Sequence, residues 1–440
     1  MERLSFSIIL YLLSVLSILY ISNIEADQSL LFTFFFLSVF LILIHSYFKL
    51  TFFAIFQFSI IIILLPIYTG SYITTTELPF YPGGDAHRYY ERVITIAAGD
   101  ESLLWGRYKF FLYGVSSYYK MIFYFFGSKS PYHFMVLTAF FVSLTGPVVY
   151  LLIKEIIGKK IALKVYYFWV LNPLLLGLAV STLRDPYVYF AVFYFIYVVI
   201  FFSNDKLIYK LGALSVLALY VINIRLDTAC FLFVFFITFF LASSKLDFKK
   251  KMLLFSLILI PVLVFISNGL VSVLDFDNSM SLSYQMNAYT ESRSMNTSTS
   301  SIVVKLQGTA LGLLVLPLYT LVSPFPPPIF FVDKFNFADL VESLFSILFL
   351  MLLPRLVINL ISYFKEFDRA FMLSLLTSIV CLLILLSLTS IGAFRQKLYI
   401  YPFIFSFIFY KNSLIVYKYY ELIACFLFGF IVIAYIYTRF

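Results

Sequence analysis

The sequence predicts an all-α fold, a polytopic transmembrane helical bundle of about 11–14 spans. Three observations predict it. Hydrophobic residues make up 62% of the chain and charged residues only 12%, about half the charged share of a water-soluble domain, and the mean hydropathy is +1.00. Apolar runs of roughly 17 to 25 residues recur from end to end, the length of a helix across hydrocarbon and too long for barrel strands. The breaks between them are mostly short and differ in kind, with lysine-rich turns alternating with turns that carry arginine and aspartate. Residues 1–440 are read as a single integral membrane domain.

The elements follow in order. The first apolar run, Leu4 to Tyr20, is followed by no small-residue cleavage site and is read as a retained span. With Met1-Glu2-Arg3 in the cytoplasm, spans near 5–22, 29–47 and 50–69 bring the chain out. Lys154, Lys159, Lys160 and Lys164 mark the next cytoplasmic turn, so a span near 133–153 leads back in and residues 70–132 form one long external loop. Its second half, Trp105 to Phe126, mixes Arg107, Lys109 and Lys120 with Phe and Tyr, as in amphipathic helices lying in the membrane interface.

Spans near 162–180 and 186–203 meet at an external turn holding Arg184 and Asp185, and spans near 208–222 and 228–243 meet at another holding Arg225 and Asp227. A span near 252–268 opens a second external loop, 269–308, which is too long for a simple connector. The stretch 302–322 is read as a re-entrant element before the proline-rich segment Pro324–Pro328. Spans near 340–361, 370–390, 398–411 and 419–437 close the chain.

Composition also excludes. The net charge of +9 suggests nucleic acid at first sight, but the basic residues are dispersed among short loops and form no aromatic-interleaved patch. Cys230, Cys381 and Cys425 lie in apolar runs without CxxC or Cys/His spacing, so neither disulfides nor a zinc site is expected. No phosphate-binding glycine loop, HExxH or GxSxG motif is present.

What remains is polar chemistry on the external side. Of the eleven arginines, Arg88, Arg92, Arg107, Arg184, Arg225, Arg293, Arg395 and Arg439 fall outside on this topology. Positive-inside bias cannot explain that placement. Guanidinium binds phosphate oxygens in bidentate fashion, so the pattern points to a phosphorylated ligand.

The segment Tyr81-Pro82-Gly83-Gly84-Asp85-Ala86-His87-Arg88-Tyr89-Tyr90-Glu91-Arg92 is the densest polar island. Gly83 and Gly84 permit a sharp turn, and Asp85 can cap the helix that follows. Arg88 and Arg92 then share a face. Asp85 is the first catalytic candidate, as a carboxylate that takes a proton from an attacking hydroxyl, and Glu91 is the second. His87 is a candidate sugar contact, with no second histidine near it to make a metal site. Arg184, Asp185, Arg225, Arg395, Lys397 and Tyr399 complete the candidate binding set. Each also has a plainer reading, as turn, snorkelling side chain or interfacial anchor.

At Gly84-Asp85-Ala86-His87-Arg88-Tyr89-Tyr90 the chain resembles the first external loop of membrane glycosyltransferases of the GT-C architecture. It also resembles the Wzy-type and EpsG-like polymerases of bacterial surface polysaccharides, which pair such a loop with external arginines. Asn172-Pro173, Arg184-Asp185-Pro186 and Phe394-Arg395-Gln396-Lys397-Leu398-Tyr399 look like the later polar landmarks of these groups.

The resemblance implies a GT-C-like enzyme of the bacterial inner membrane with periplasmic loops at 70–132 and 269–308. It would polymerise lipid-linked oligosaccharide repeat units carried on undecaprenyl pyrophosphate, as in O-antigen or capsule synthesis. Asp85 would activate the acceptor hydroxyl, and Arg88, Arg184, Arg225 and Arg395 would hold pyrophosphate. A chain-length regulator or flippase of the same pathway would be a partner. No cofactor is implied, with a divalent cation left open. Two other readings stay open, a transferase using a polyprenyl-phosphate sugar and a lipid-linked oligosaccharide flippase.

Overall fold

The computed structural model describes residues 2–46, 49–81, 85–100, 109–201, 207–242, 310–322, 337–366, 368–389 and 394–410, with isolated positions after 418. The expected loop 269–308 and the expected spans near 252–268 and 419–437 lie outside these residues, apart from a few positions in the last. So do Arg107, Arg293 and Arg439.

Among the described residues every regular element is helical. In chain order these are α1 (Glu2–Ile24), α2 (Ser29–Ser46), α3 (Thr51–Thr76), α4 (Asp85–Ala97), α5 (Lys109–Phe126), α6 (Tyr132–Ser143), α7 (Thr145–Ile156), α8 (Lys159–Val170), α9 (Pro173–Ala179), α10 (Asp185–Ile200), α11 (Leu207–Ile224) and α12 (Leu226–Ala242). Then come α13 (Ala310–Val322), α14 (Phe337–Glu366), α15 (Arg369–Thr389), two 3₁₀ turns (Phe394–Gln396 and Leu398–Ile400) and α16 (Tyr401–Phe409). Among the described residues six helical stretches are long and apolar enough to cross a membrane, or seven if a bent pair counts as one span. The protein is therefore a multi-pass membrane protein. The expected spans near 186–203, 208–222, 228–243 and 398–411 are present as shorter apolar helices.

The packing inverts the pattern of a soluble bundle. In α1, Leu12, Leu16 and Tyr20 are exposed while Ser14, Ile18, Ile21 and Ser22 are buried. In α2, Phe32, Phe35 and Leu43 face out while Thr33 and Ser38 face in. Lipid is as apolar as the core, so large apolar side chains gain nothing by turning inward, and small residues let helices approach closely.

One expected span is interrupted at a single residue without losing its course and another is bent, each for a local reason. The run near 133–153 divides at Leu144 into α6 and α7. Pro147 lacks the N–H a continuous helix would use. Gln57 of α3 reaches the break: its Oε1 accepts from the Gly146 N–H at 2.9 Å. A Cβ at Gly146 would fall 2.4 Å from that oxygen and 2.9 Å from Tyr166 Cε2, so a larger residue has to displace the Gln57 amide and the Tyr166 ring. The Trp169 indole N–H donates to Thr145 Oγ1 at 2.9 Å on the same spot.

The run near 162–180 bends by 53° between α8 and α9. Asn172 caps α9 by accepting from the Leu174 N–H at 3.0 Å, and Pro173 occupies the first helical turn. Asparagine followed by proline is a helix-start signal, here set inside an apolar run.

The chain divides into two compact units, one of residues 1–228, 327–360 and 398–440, the other of 229–326 and 361–397. In the first unit, contacts far apart in sequence fix which helix ends lie together. Ser128 donates to Asp27, Thr182 to the Ala86 carbonyl, Arg184 to the Ile224 carbonyl, and the Ala338 N–H to Ser71. The α1–α2 turn, α4, the 181–185 turn, the α11–α12 turn and the start of α14 thus share one end. Lys49, Lys154, Lys159, Lys160 and Lys210 sit at the opposite helix ends. In the second unit α13 packs on α15, and Lys397 joins the two by donating to the carbonyls of Thr320 and Leu321 in the last turn of α13.

Candidate functional site

The shared end of the first unit holds the site. Unlike the spanning helices, α4 is amphipathic: Ala86, Val93 and Ile96 are buried, while Arg88 and Glu91 are exposed. It lies against α5, whose Tyr113, Tyr124 and Phe125 are exposed and whose Phe111, Leu112 and Tyr119 are buried. Asp85 stands half-buried at the first position of α4.

Two contacts dock α4 on the turn before α10. The Thr182 hydroxyl donates to the Ala86 carbonyl at 2.6 Å, and the Arg184 guanidinium lies over the Tyr89 ring, 5.8 Å from its centre. Arg184 also donates to the Ile224 carbonyl at 3.2 Å, so one side chain links α4 to the end of α11. Beside it, buried Arg225 forms an ion pair with buried Asp185 and lies 3.8 Å from Asp227. Burial alone would lower the pKa of Arg225, but the carboxylates of Asp185 and Asp227 raise it above its ordinary value and keep the guanidinium charged. Three segments separated by scores of residues, 85–89, 182–185 and 224–227, therefore meet.

Their parts differ. Arg184 and Arg225 are held by a carbonyl and by carboxylates, which makes them clamps on the scaffold. Arg88 is exposed and Arg92 half-buried on α4, so these two present charge to the aqueous end. Glu91 meets His87, its Oε1 3.5 Å from Nε2, and His87 also packs against Phe80. Arg395 is half-buried and Lys397 fully buried in the second unit. Burial holds the Lys397 ammonium well below its ordinary pKa. Tyr399 is buried in the first unit with its ring 6.3 Å from that of Tyr189.

Two further polar clusters lie at this end, and no motif in the sequence marks them. In the first, buried His133 shares Nε2 among Ser29 (3.0 Å), Asp27 (3.1 Å) and Ser128 (3.1 Å), and Nδ1 with Thr33 (2.8 Å). Ser29 also donates to Asp27 at 2.5 Å. Burial raises the Asp27 pKa, but these hydroxyls and His133 outweigh it and hold the carboxyl below its ordinary value. This cluster ties the α1–α2 turn to the foot of α6.

The second gathers Tyr68 and Tyr72 of α3, Gly177 of α9, and Asp339 and Glu342 of α14. An ionisable residue within an apolar run was its signal. Among the described residues no group of three or more His, Cys, Asp or Glu side chains is arranged to hold a metal. Comparison with protein-family models, curated proteins and solved structures finds nothing that this chain matches.

Proposed function

We propose that the protein is a membrane glycosyltransferase that polymerises lipid-linked oligosaccharide repeat units, with undecaprenyl pyrophosphate as carrier, at the periplasmic face of a bacterial inner membrane. The observation that carries this reading is the docking of the Asp85 helix on two arginine-bearing turns at the polar end of an apolar bundle. A carboxylate, exposed Arg88 and half-buried Arg92 then share one helix beside the lipid.

In this reading Asp85 takes the proton of the acceptor sugar hydroxyl as its oxygen bonds to the anomeric carbon of the donor. The bond from that carbon to the pyrophosphate oxygen breaks, and the lipid pyrophosphate leaves with the electron pair. Arg88 and Arg92 stabilise the charge that develops on it. Arg184 and Arg225 act through position, by holding α4 against the bundle. Glu91 and His87 contact sugar hydroxyls. Arg395, Lys397 and Tyr399 take no part in this step: Lys397 is buried and donates to the carbonyls of Thr320 and Leu321 within the second unit, and Tyr399 is buried among aromatic rings.

The test supplies purified protein in nanodiscs with lipid-linked single repeats. Ladders of longer chains are expected from the native protein, and unextended single repeats from Asp85→Ala. Extension only when a polyprenyl-monophosphate sugar is added would favour the single-sugar transferase. Transfer of intact carrier between leaflets without extension would favour the flippase.

A further inference from the structure

Glu342 lies in the second turn of a membrane-crossing helix, 6% exposed, with no hydrogen bond or ion pair among the described residues. A buried carboxylate is unfavourable without a counter-charge, so something positive belongs beside it. Among the described residues the polar groups placed near it are oxygens, those of Asp339, Tyr72 and Gly177. Asp339, three residues earlier on the same helix face, lies close enough to add like charge.

Across from them the hydroxyls of Tyr68 and Tyr72 approach the carbonyls of Pro173 and Gly177, both at a long 3.4 Å. The Ser181 N–H that would take the Gly177 carbonyl in a continued helix goes to Leu178 instead. Gly177, lacking a side chain, lets the two oxygens come close to its backbone. The point where a Cβ would stand is 3.1 Å from Glu342 Oε1 and 3.3 Å from the Tyr72 hydroxyl.

We infer that Glu342 and Asp339, with the Tyr72 hydroxyl and the Gly177 carbonyl, form a site for a hard divalent cation. Oxygen-only donors with one or two carboxylates suit ions of the magnesium, manganese and calcium class and exclude the thiolate and imidazole metals. Two carboxylates match a double positive charge. A sugar or phosphate is too large for a place lined by tyrosines that are 1% exposed. Half-buried Asp339, in the first turn of α14, stands on the side from which an ion enters. The sequence hides the site because its donors are spread from residue 72 to residue 342.

This inference stands apart from the catalytic reading, since it concerns binding alone. The full chain in detergent, stripped with chelator, is titrated with manganese, and bound ion is counted by electron paramagnetic resonance while the unfolding midpoint is followed. One saturable ion per chain with a rising midpoint is expected. In E342Q and in D339N the affinity falls ~tenfold or more, while the cation-free midpoint of E342Q stays at or above that of the native chain. D339N, altered at a half-buried position, gives the answer if E342Q fails to fold. Absence of saturable binding, or binding unchanged in both variants, overturns the site and leaves a proton as the occupant of Glu342.

Discussion

Asp185 and Arg225 show how a single pair decides whether a charge is available or spent. Both are buried, so removing one strands the other without compensation, at about 3–5 kcal/mol. Arg225→Ala is therefore expected to lower the unfolding midpoint sharply, and the double variant Asp185→Leu/Arg225→Met to recover most of that loss. If the double variant unfolds as easily as the single one, the pair is not the clamp described above.

Asp27 gives a second expectation at the same scale. Its folded pKa lies below the ordinary 3.8, so its contribution to stability is complete above that value and is lost as pH falls through the folded pKa. Asp27→Asn should cost about 1–3 kcal/mol at neutral pH and flatten the acid-side loss in an unfolding series run below about pH 4. The types of these residues were plain in the sequence, but not their partners. Arg225 and Asp185 are forty positions apart, and His133 meets an aspartate more than a hundred residues before it.

Among the elements, the breaks in the apolar runs carry the specificity. Gly146 marks where α6 gives way to α7 because the Gln57 side chain occupies the space of a Cβ. Gly146→Ala should cost about 1–3 kcal/mol by overpacking, read as a lower unfolding midpoint in detergent. Asn172→Ala, which removes the cap of α9, should cost about 1 kcal/mol. The signal at Asn172-Pro173 was readable from residue types alone. The signal at Gly146 was not, because it depends on a glutamine from α3 reaching a glycine some ninety residues later. Periodicity gave no help with helix facing, since α1 and α2 are apolar all round and turn small polar residues inward.

Across the first unit, charge type sorts by end. Arg88, Arg92, Arg184 and Arg225 lie where α3 and α11 finish and α4, α10 and α12 begin, and Lys154, Lys159, Lys160 and Lys210 lie at the other ends of the helices. Arg3 and Arg355 depart from this, Arg355 being eighteen residues into α14, about 27 Å along it. So do Lys120 of α5 and Lys129, whose carbonyl accepts from the Tyr90 hydroxyl at the arginine end. Single cysteines at 27, 88 and 226 in a cysteine-free background should all react with an impermeant reagent from one side of the membrane. A cysteine at 160 should react only from the other. Labelling of 226 together with 160 would undo the shared end on which the site is built.

Composition and run length were enough to establish a helical membrane protein, because hydrocarbon forces every spanning backbone to satisfy its own hydrogen bonds and so admits long apolar helices. The alternation of lysine turns with arginine and aspartate turns was legible for the same reason. The sequence could not disclose which arginines are clamps and which face water, where long apolar runs bend, or that Glu342 stands beside Tyr72 and Gly177. Those depend on side chains from distant segments meeting in a medium that leaves no water to satisfy them, and only the packed tertiary structure brings such partners together.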